Sequence, residues 1–223
     1  MHIAGFTPNS FVDYPDGIAA VVFVSGCNLD CWYCHNKGLI DSGAVYYEDD
    51  ILKRIEKHKG MLDGVVITGG EPTLENTEEL IVFINRIKAI GLKVKLDTNG
   101  THPERLIKLL PYLDYVAMDV KAPFEKYNVF TRISDKEITA MKESVKLILE
   151  NIDCEFRTTF APPLIKEDIL EIAASIRGCK HYYLQQYVPT EHCKETLAHP
   201  SSYLVETSNL LRSNGYPCEI RGI

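Results

Sequence analysis

Residues 19–34 read AAVVFVSGCNLDCWYC. A short apolar run rich in valine stops abruptly and gives way to a polar, cysteine-containing loop. A run of this length, bounded by turn residues, reads as a strand buried on both faces. The pattern recurs at residues 65–68, 94–98, 115–119, 154–159 and 182–186. Helical patterns lie between these runs. Asn76 and Glu79 precede an apolar face of Leu80, Phe83, Ile84 and Ile87, and Ser134 with Glu137 precedes Ile138, Met141, Val145 and Ile148. Both starts carry capping signals. Pro103 and Pro200 sit where a first helical position is expected, and a weaker helical pattern covers 49–59. Six strands, each followed by a helical or crossover segment, predict an α/β protein with a parallel sheet. The sheet is either open and doubly wound or a barrel of about six units. Either form puts the active site at the carboxyl ends of the strands.

Unusual residues collect at those ends. The first strand leads into Cys27–Cys34, the second into Gly69-Gly70-Glu71-Pro72, and the third into Asp97-Thr98-Asn99-Gly100. The fourth leads into Asp119-Val120-Lys121, the fifth carries Arg157-Thr158-Thr159, and the sixth carries Gln185-Gln186. No repeat, low-complexity tract or long linker divides the chain, so one domain spanning residues 1–223 is expected.

Composition narrows the class. With 45% apolar and 25% charged residues in 223, the chain is globular and not disordered. Twenty-four basic against 31 acidic residues give a formal charge of −7, which disfavours sequence-independent nucleic-acid binding. No leader pattern follows Met1, and no apolar run approaches the roughly 20 residues of a membrane span. The expectation is a cytoplasmic protein with no membrane or nucleic-acid partner. Seven cysteines cannot all pair as disulfides. Three of them fall within residues 27–34, and Cys154, Cys179, Cys193 and Cys218 are scattered. In a reducing compartment a cysteine cluster signals a metal or redox site.

The spacing Cys27-x3-Cys31-x2-Cys34 allows three readings: ordinary buried thiols, zinc with His35 as fourth ligand, or an iron–sulfur cluster. A polar loop has no packing need for three cysteines. Cys34 and His35 are adjacent, so both do not easily face one ion. A [4Fe–4S] cluster takes four thiolates, and only three are local. One iron would then stay open to bind a substrate or cofactor directly.

Cys27, Cys31 and Cys34, with the aromatic Tyr33 before the last, resemble the signature of the radical S-adenosylmethionine (SAM) superfamily. That resemblance implies a partial (β/α)6 TIM-type barrel, a [4Fe–4S] cluster on the three cysteines, and SAM chelating the fourth iron. Tyr33 would lie against the cofactor. Gly69-Gly70-Glu71 resembles the family's GGE motif, whose carbonyls and glutamate would accept from the SAM ammonium group. Asp97, Thr98 and Asn99 resemble its ribose-side segment. In glycyl-radical-enzyme activating proteins the counterparts of Asp97, Thr98 and Asp119, with the Ala117 carbonyl, hold a monovalent cation beside the SAM carboxylate. Lys121 would lie near SAM or an incoming peptide, and Arg157 would pair bidentately with a carboxylate.

Cys34-His35-Asn36, the run 11–15, the run 118–123, Phe156-Arg157-Thr158-Thr159 and Tyr183-Leu184-Gln185-Gln186 narrow the resemblance to anaerobic ribonucleoside-triphosphate reductase activating proteins. The implied activity is reductive cleavage of SAM to a 5′-deoxyadenosyl radical that installs a glycyl radical on that reductase. The implied electron donor is a flavodoxin or ferredoxin. Pyruvate formate-lyase as partner, or a small-molecule substrate, is the alternative. Asp16, between Pro15 and Gly17, departs from the family's usual direct Pro-Gly.

Overall fold

All six apolar runs form strands, and each strand lies beside the next one in the chain. The computed structural model describes residues 1–191, 193 and 197–223. Its sheet has the order β1 (Ile3–Tyr14), β2 (Gly17–Val24), β3 (Gly64–Gly69), β4 (Lys93–Thr98), β5 (Tyr115–Asp119), β6 (Cys154–Phe160), β7 (Tyr182–Gln186) and β8 (Glu219–Arg221). β2 to β8 are parallel. The sheet is the expected parallel half-barrel, with two strands that the apolar pattern does not reveal.

The first of these, β1, corrects the all-parallel reading. It pairs antiparallel with β2 through a two-residue loop, because Tyr14 faces Gly17. Asp16 sits in that loop at φ 54°, a region that Asp tolerates better than most residues. The residue that departs from the family pattern thus makes the hairpin turn. β8 adds three residues beyond β7.

The helices are α1 (Lys37–Ile40), α2 (Glu48–His58), α3 (Thr77–Ala89), α4 (Pro103–Leu109), α5 (Asp135–Asn151), α6 (Lys166–Ser175) and α7 (Ser201–Ser213). Asn76 caps α3 by accepting from Glu79 N at 3.1 Å. Ser134 and Glu137 close a reciprocal box on α5. Pro103 opens α4 as expected, but Pro200 sits one residue outside α7, at its N-cap. Among the described residues no helix is long and apolar enough to cross a membrane.

Successive strand residues face opposite sides. Val65, Ile67, Val94, Leu96, Val116, Met118 and Phe156 face the helices and join Phe83, Ile84, Ile87 and Ile148 in the main core. Each such side chain contributes about 1.5–3 kcal/mol by leaving water. Cys154, Cys179 and Cys218 belong to this layer too. The inner face is different. Tyr14, Ala19, Val21 and Val66 make an apolar cluster near β2 and β3. Beyond it the inner positions of β4 and β6 are Lys95, Asp97, Glu155 and Arg157. The half-barrel is therefore greasy inside on one flank and charged on the other.

Candidate active site

The glycine pair at the end of β3 exists for backbone contact. Gly70 N donates to Val24 O and Glu71 N to Gly26 O, each at 2.9 Å. Gly69 has φ 109°, and a Cβ there meets the Val24 backbone. A Cβ on residue 70 would collide with the Gly26 carbonyl. Asn36 Nδ2 donates to Gly69 O at 2.9 Å. These contacts clamp both ends of the cysteine loop onto β3. The close approach allowed by the glycines is to the protein's own chain.

Glu71 is buried, and it also serves the protein. Oε1 accepts from Thr73 N (3.1 Å), Thr73 Oγ1 (2.6 Å) and Thr98 Oγ1 (2.8 Å), and Oε2 accepts from Asn99 N at 2.6 Å. Desolvation pushes its carboxyl above the usual range, against the pull of those four donors. The carboxylate ties the end of β4 to the turn after β3. The sequence reading expected Glu71 to accept from the SAM ammonium group; the four donors that the structure gives it are the chain's own. Thr98 is likewise engaged, since its Oγ1 also accepts from Gly100 N at 3.0 Å.

Asp97 and Asp119 stand on neighbouring strands, with Arg157 between them. Arg157 Nη1 donates to Asp97 Oδ2 at 3.0 Å and Nε to Asp119 Oδ1 at 2.8 Å. The guanidinium thus bridges two carboxylates, where the sequence suggested a bidentate grip on one. Asp97 and Asp119 are two of the residues that the resemblance assigned to a monovalent cation, and Arg157 bonds both of them. Lys121 lies past the end of β5, yet its Nζ pairs with Asp119 Oδ2 at 3.3 Å. Burial raises the Asp119 carboxyl, but Arg157 and then Lys121 overcome this and hold it well below the ordinary range. Burial opposes the charge on Arg157 and Lys121 as well. Asp119 is the largest counterweight for both, and both are held well above their usual values.

Two residues that the sequence reading missed extend this network. Lys95 is 1% exposed and Glu155 0%. Lys95 Nζ lies 3.2 Å from both Asp97 Oδ1 and Glu155 Oε1, and it donates to Asp13 O in the hairpin at 2.5 Å. Arg221 Nη2 donates to Glu155 Oε2 at 3.0 Å. The available signal was a charged residue between two apolar ones on each strand, in the register of Asp97 and Arg157.

The cysteine loop folds over this rim. Cys31 is buried, while Cys27 and Cys34 are half-buried. Burial pushes the Cys27 thiol up to about 11, and raises Cys34 too. A bound metal would have to supply the charge that makes them thiolates. His35 Nε2 hydrogen-bonds the Val188 carbonyl at 2.9 Å, so it is committed elsewhere. That contact counts against zinc with His35 as fourth ligand.

Tyr33 packs edge-on against Trp32, Phe130 and Tyr187. Its ring lies 6.0 Å from Lys121 Nζ. Among the described residues its buried Oη has no hydrogen-bond partner, and Asp97 Oδ1 has only the ion pair with Lys95. An unsatisfied buried hydroxyl costs about 1–3 kcal/mol. This rim therefore suits a polar ligand, with three thiols on one side and paired charges on the other. Those features fit an iron–sulfur cluster together with SAM.

The Radical SAM superfamily profile matches residues 21–176, well over half of the sequence. The chain belongs to the radical SAM superfamily. A protein of Methanocaldococcus jannaschii provisionally named a glycyl-radical enzyme activating enzyme is 36% identical over 197 residues, covering 85% of this chain and 81% of its own. The Clostridium pasteurianum pyruvate formate-lyase-activating enzyme is 29% identical over 188 residues, covering 80% of this chain and 77% of its own. Streptococcus suis SuiB, crystallised with SAM, shares the fold at TM-score 0.70 and 13% identity, over 88% of this chain and 48% of its own. This radical SAM protein is an enzyme, and its cofactors are those of the superfamily, a [4Fe–4S] cluster and SAM.

Proposed function

We propose that Cys27, Cys31 and Cys34 hold the cluster, and that the chain is a glycyl-radical-enzyme activase whose partner is anaerobic ribonucleoside-triphosphate reductase. The observation that carries this reading is the rim at the carboxyl ends of the parallel strands, where the loop of Cys27, Cys31 and Cys34 meets Lys121, with Asp119, Arg157 and Asp97 paired behind it. The groove of about 1140 Å³ opens at the other end of the strands, among the hairpin residues Phe11 to Asp16, Lys93, Asp114 and Lys180.

When bound, the cluster and SAM supply one-electron reductive cleavage of the sulfonium. The chain's own residues do the holding. Gly69, Gly70 and Glu71 fix the cysteine loop. Asp97, Arg157, Asp119 and Lys121 set the charge beneath it. Tyr33 and the aromatic rings around it exclude water. A flavodoxin or ferredoxin is the proposed electron donor. The proposed setting is cytoplasmic, as a single domain over residues 1–223, with no membrane or nucleic acid involved.

A second reading is activation of pyruvate formate-lyase, favoured by the clostridial relative. The test is anaerobic reconstitution, then mixing with SAM, reductant and each candidate partner. A glycine-radical EPR doublet on the reductase alone supports the first reading, and a doublet on the lyase alone supports the second. SAM cleavage with no doublet on either would sink the activase reading.

A further inference from the structure

Asn99 is 6% exposed and turns its side chain toward the cysteine loop. One end of its amide accepts from Thr101 N at 3.0 Å and from Thr101 Oγ1 at 2.7 Å. A backbone N–H only donates, so that end is the oxygen. The other end is the nitrogen, 3.0 Å from Asn28 Oδ1 and 3.9 Å from Cys27 Sγ. The orientation of Asn28 is fixed separately. Its Nδ2 donates to Glu137 Oε1 at 3.2 Å and to Thr101 Oγ1 at 3.0 Å, and an ionised carboxylate only accepts. The chain of bonds therefore has a donor-only end at Thr101 N and an acceptor-only end at Glu137. Every direction between them is determined. One Asn99 N–H is left, and it faces the sulfur of Cys27.

This uses all the hydrogen-bonding capacity of the Asn99 side chain. Two bonds reach its oxygen and two leave its nitrogen, so none remains for the sugar of a nucleoside. We infer that Asn99 is a positioning residue for the cluster's electronics: its N–H···S contact with Cys27 raises the reduction potential of the cluster. The inference rests on the reading that Cys27 is a ligand. A hydrogen bond to a ligating sulfur draws off electron density and stabilises the extra negative charge of the reduced form. Asn28 acts one step back, by fixing the direction of the amide.

The test is an EPR-monitored redox titration of the reconstituted protein without SAM. Asn99→Asp keeps the acceptor for Thr101 but has no N–H for sulfur. Asn99→Ala removes the donor without adding charge, and Asn28→Leu frees the amide to turn. Both Asn99 variants are expected to lower the midpoint. At the poise where half of the wild type is reduced, the reduced-to-oxidised ratio falls about tenfold, or ~59 mV for one electron. Asn28→Leu shifts it the same way by less. An Asn99→Ala midpoint equal to wild type overturns the inference, whatever Asn99→Asp does, because added charge alone would then explain that variant. Wild type that takes up no reducible cluster would instead overturn the ligand reading beneath it.

Discussion

The carbonyl oxygen of Gly26 occupies the space that a side chain on residue 70 would need. It also accepts Glu71 N at 2.9 Å. The residue before Cys27 is thereby pressed against the end of β3, with no room for a methyl group. Gly70→Ala must push one backbone away from the other. Overpacking of this kind costs about 1–3 kcal/mol, and each kcal/mol lowers Tm by about 2–4 °C at this size. Iron bound per chain is expected to fall with it. Gly38→Ala is the control, since a Cβ there meets nothing within 4 Å, and it should change neither quantity.

Removing one thiol separates the ligands from the other cysteines. Cys31→Ala is expected to abolish iron retention after anaerobic reconstitution, and SAM cleavage with it, while the chain still folds. Cys154→Ala lies in the helix-facing core and should keep full iron. Iron and sulfide analysis with a circular dichroism melt distinguishes the two. Full iron in Cys31→Ala would contradict the proposed ligand set.

Arg157 holds two carboxylates from one guanidinium. Arg157→Ala leaves Asp97 with Lys95 and Asp119 with Lys121, so the expected loss stays below the roughly 3–5 kcal/mol of a buried charge left uncompensated. Arg157→Lys is expected to recover only part of this, because an ammonium lacks the planar fork that reaches both partners. Denaturant midpoints should rank wild type above Lys above Ala. Equal midpoints for Lys and wild type would show that bridging is not what matters.

The low carboxyl of Asp119 gives the stability a pH signature. Its folded value lies below the ordinary 3.8. Its stabilising contribution is therefore fully present above the unfolded value, and is lost as pH falls through the folded one. The side chain is 35% exposed, so solvent screens the pair and about 1 kcal/mol is a reasonable scale. Asp119→Asn should be less stable than wild type at pH 6, with the gap narrowing toward pH 3 in urea titrations. A gap that widens on acidification would reverse the assigned sign.

Much of this arrangement was legible in the sequence because buried parallel strands leave a simple trace. Val65-Val66-Ile67 or Tyr115-Val116-Ala117 can hardly be anything else, and the residues just after each run had to share one rim. β1 left no such trace. Its middle, Thr7 to Val12, includes Pro8 and Asn9, is largely exposed, and shifts register on both sides of Ser10. β8 is too short to show a period. The partners of the site residues were hidden for a different reason. Arg157 and Asp97 are 60 residues apart in sequence, and spacing says nothing about which carboxylate a guanidinium will reach. The same holds for Glu71. Its motif announced a site, but only coordinates reveal four internal donors around the carboxylate.

The run Lys95–Asp97–Arg157–Asp119–Lys121 has one more consequence. Each charge in it is already pinned by an opposite neighbour, and one flank of the half-barrel beside it is apolar. Little is left that can rotate when charge moves nearby. An electron crossing toward this rim would meet an environment oriented in advance, with a small reorganisation energy to overcome. In that sense the buried ion pairs act as a frozen solvent, cast once during folding and not rearranged at each turnover.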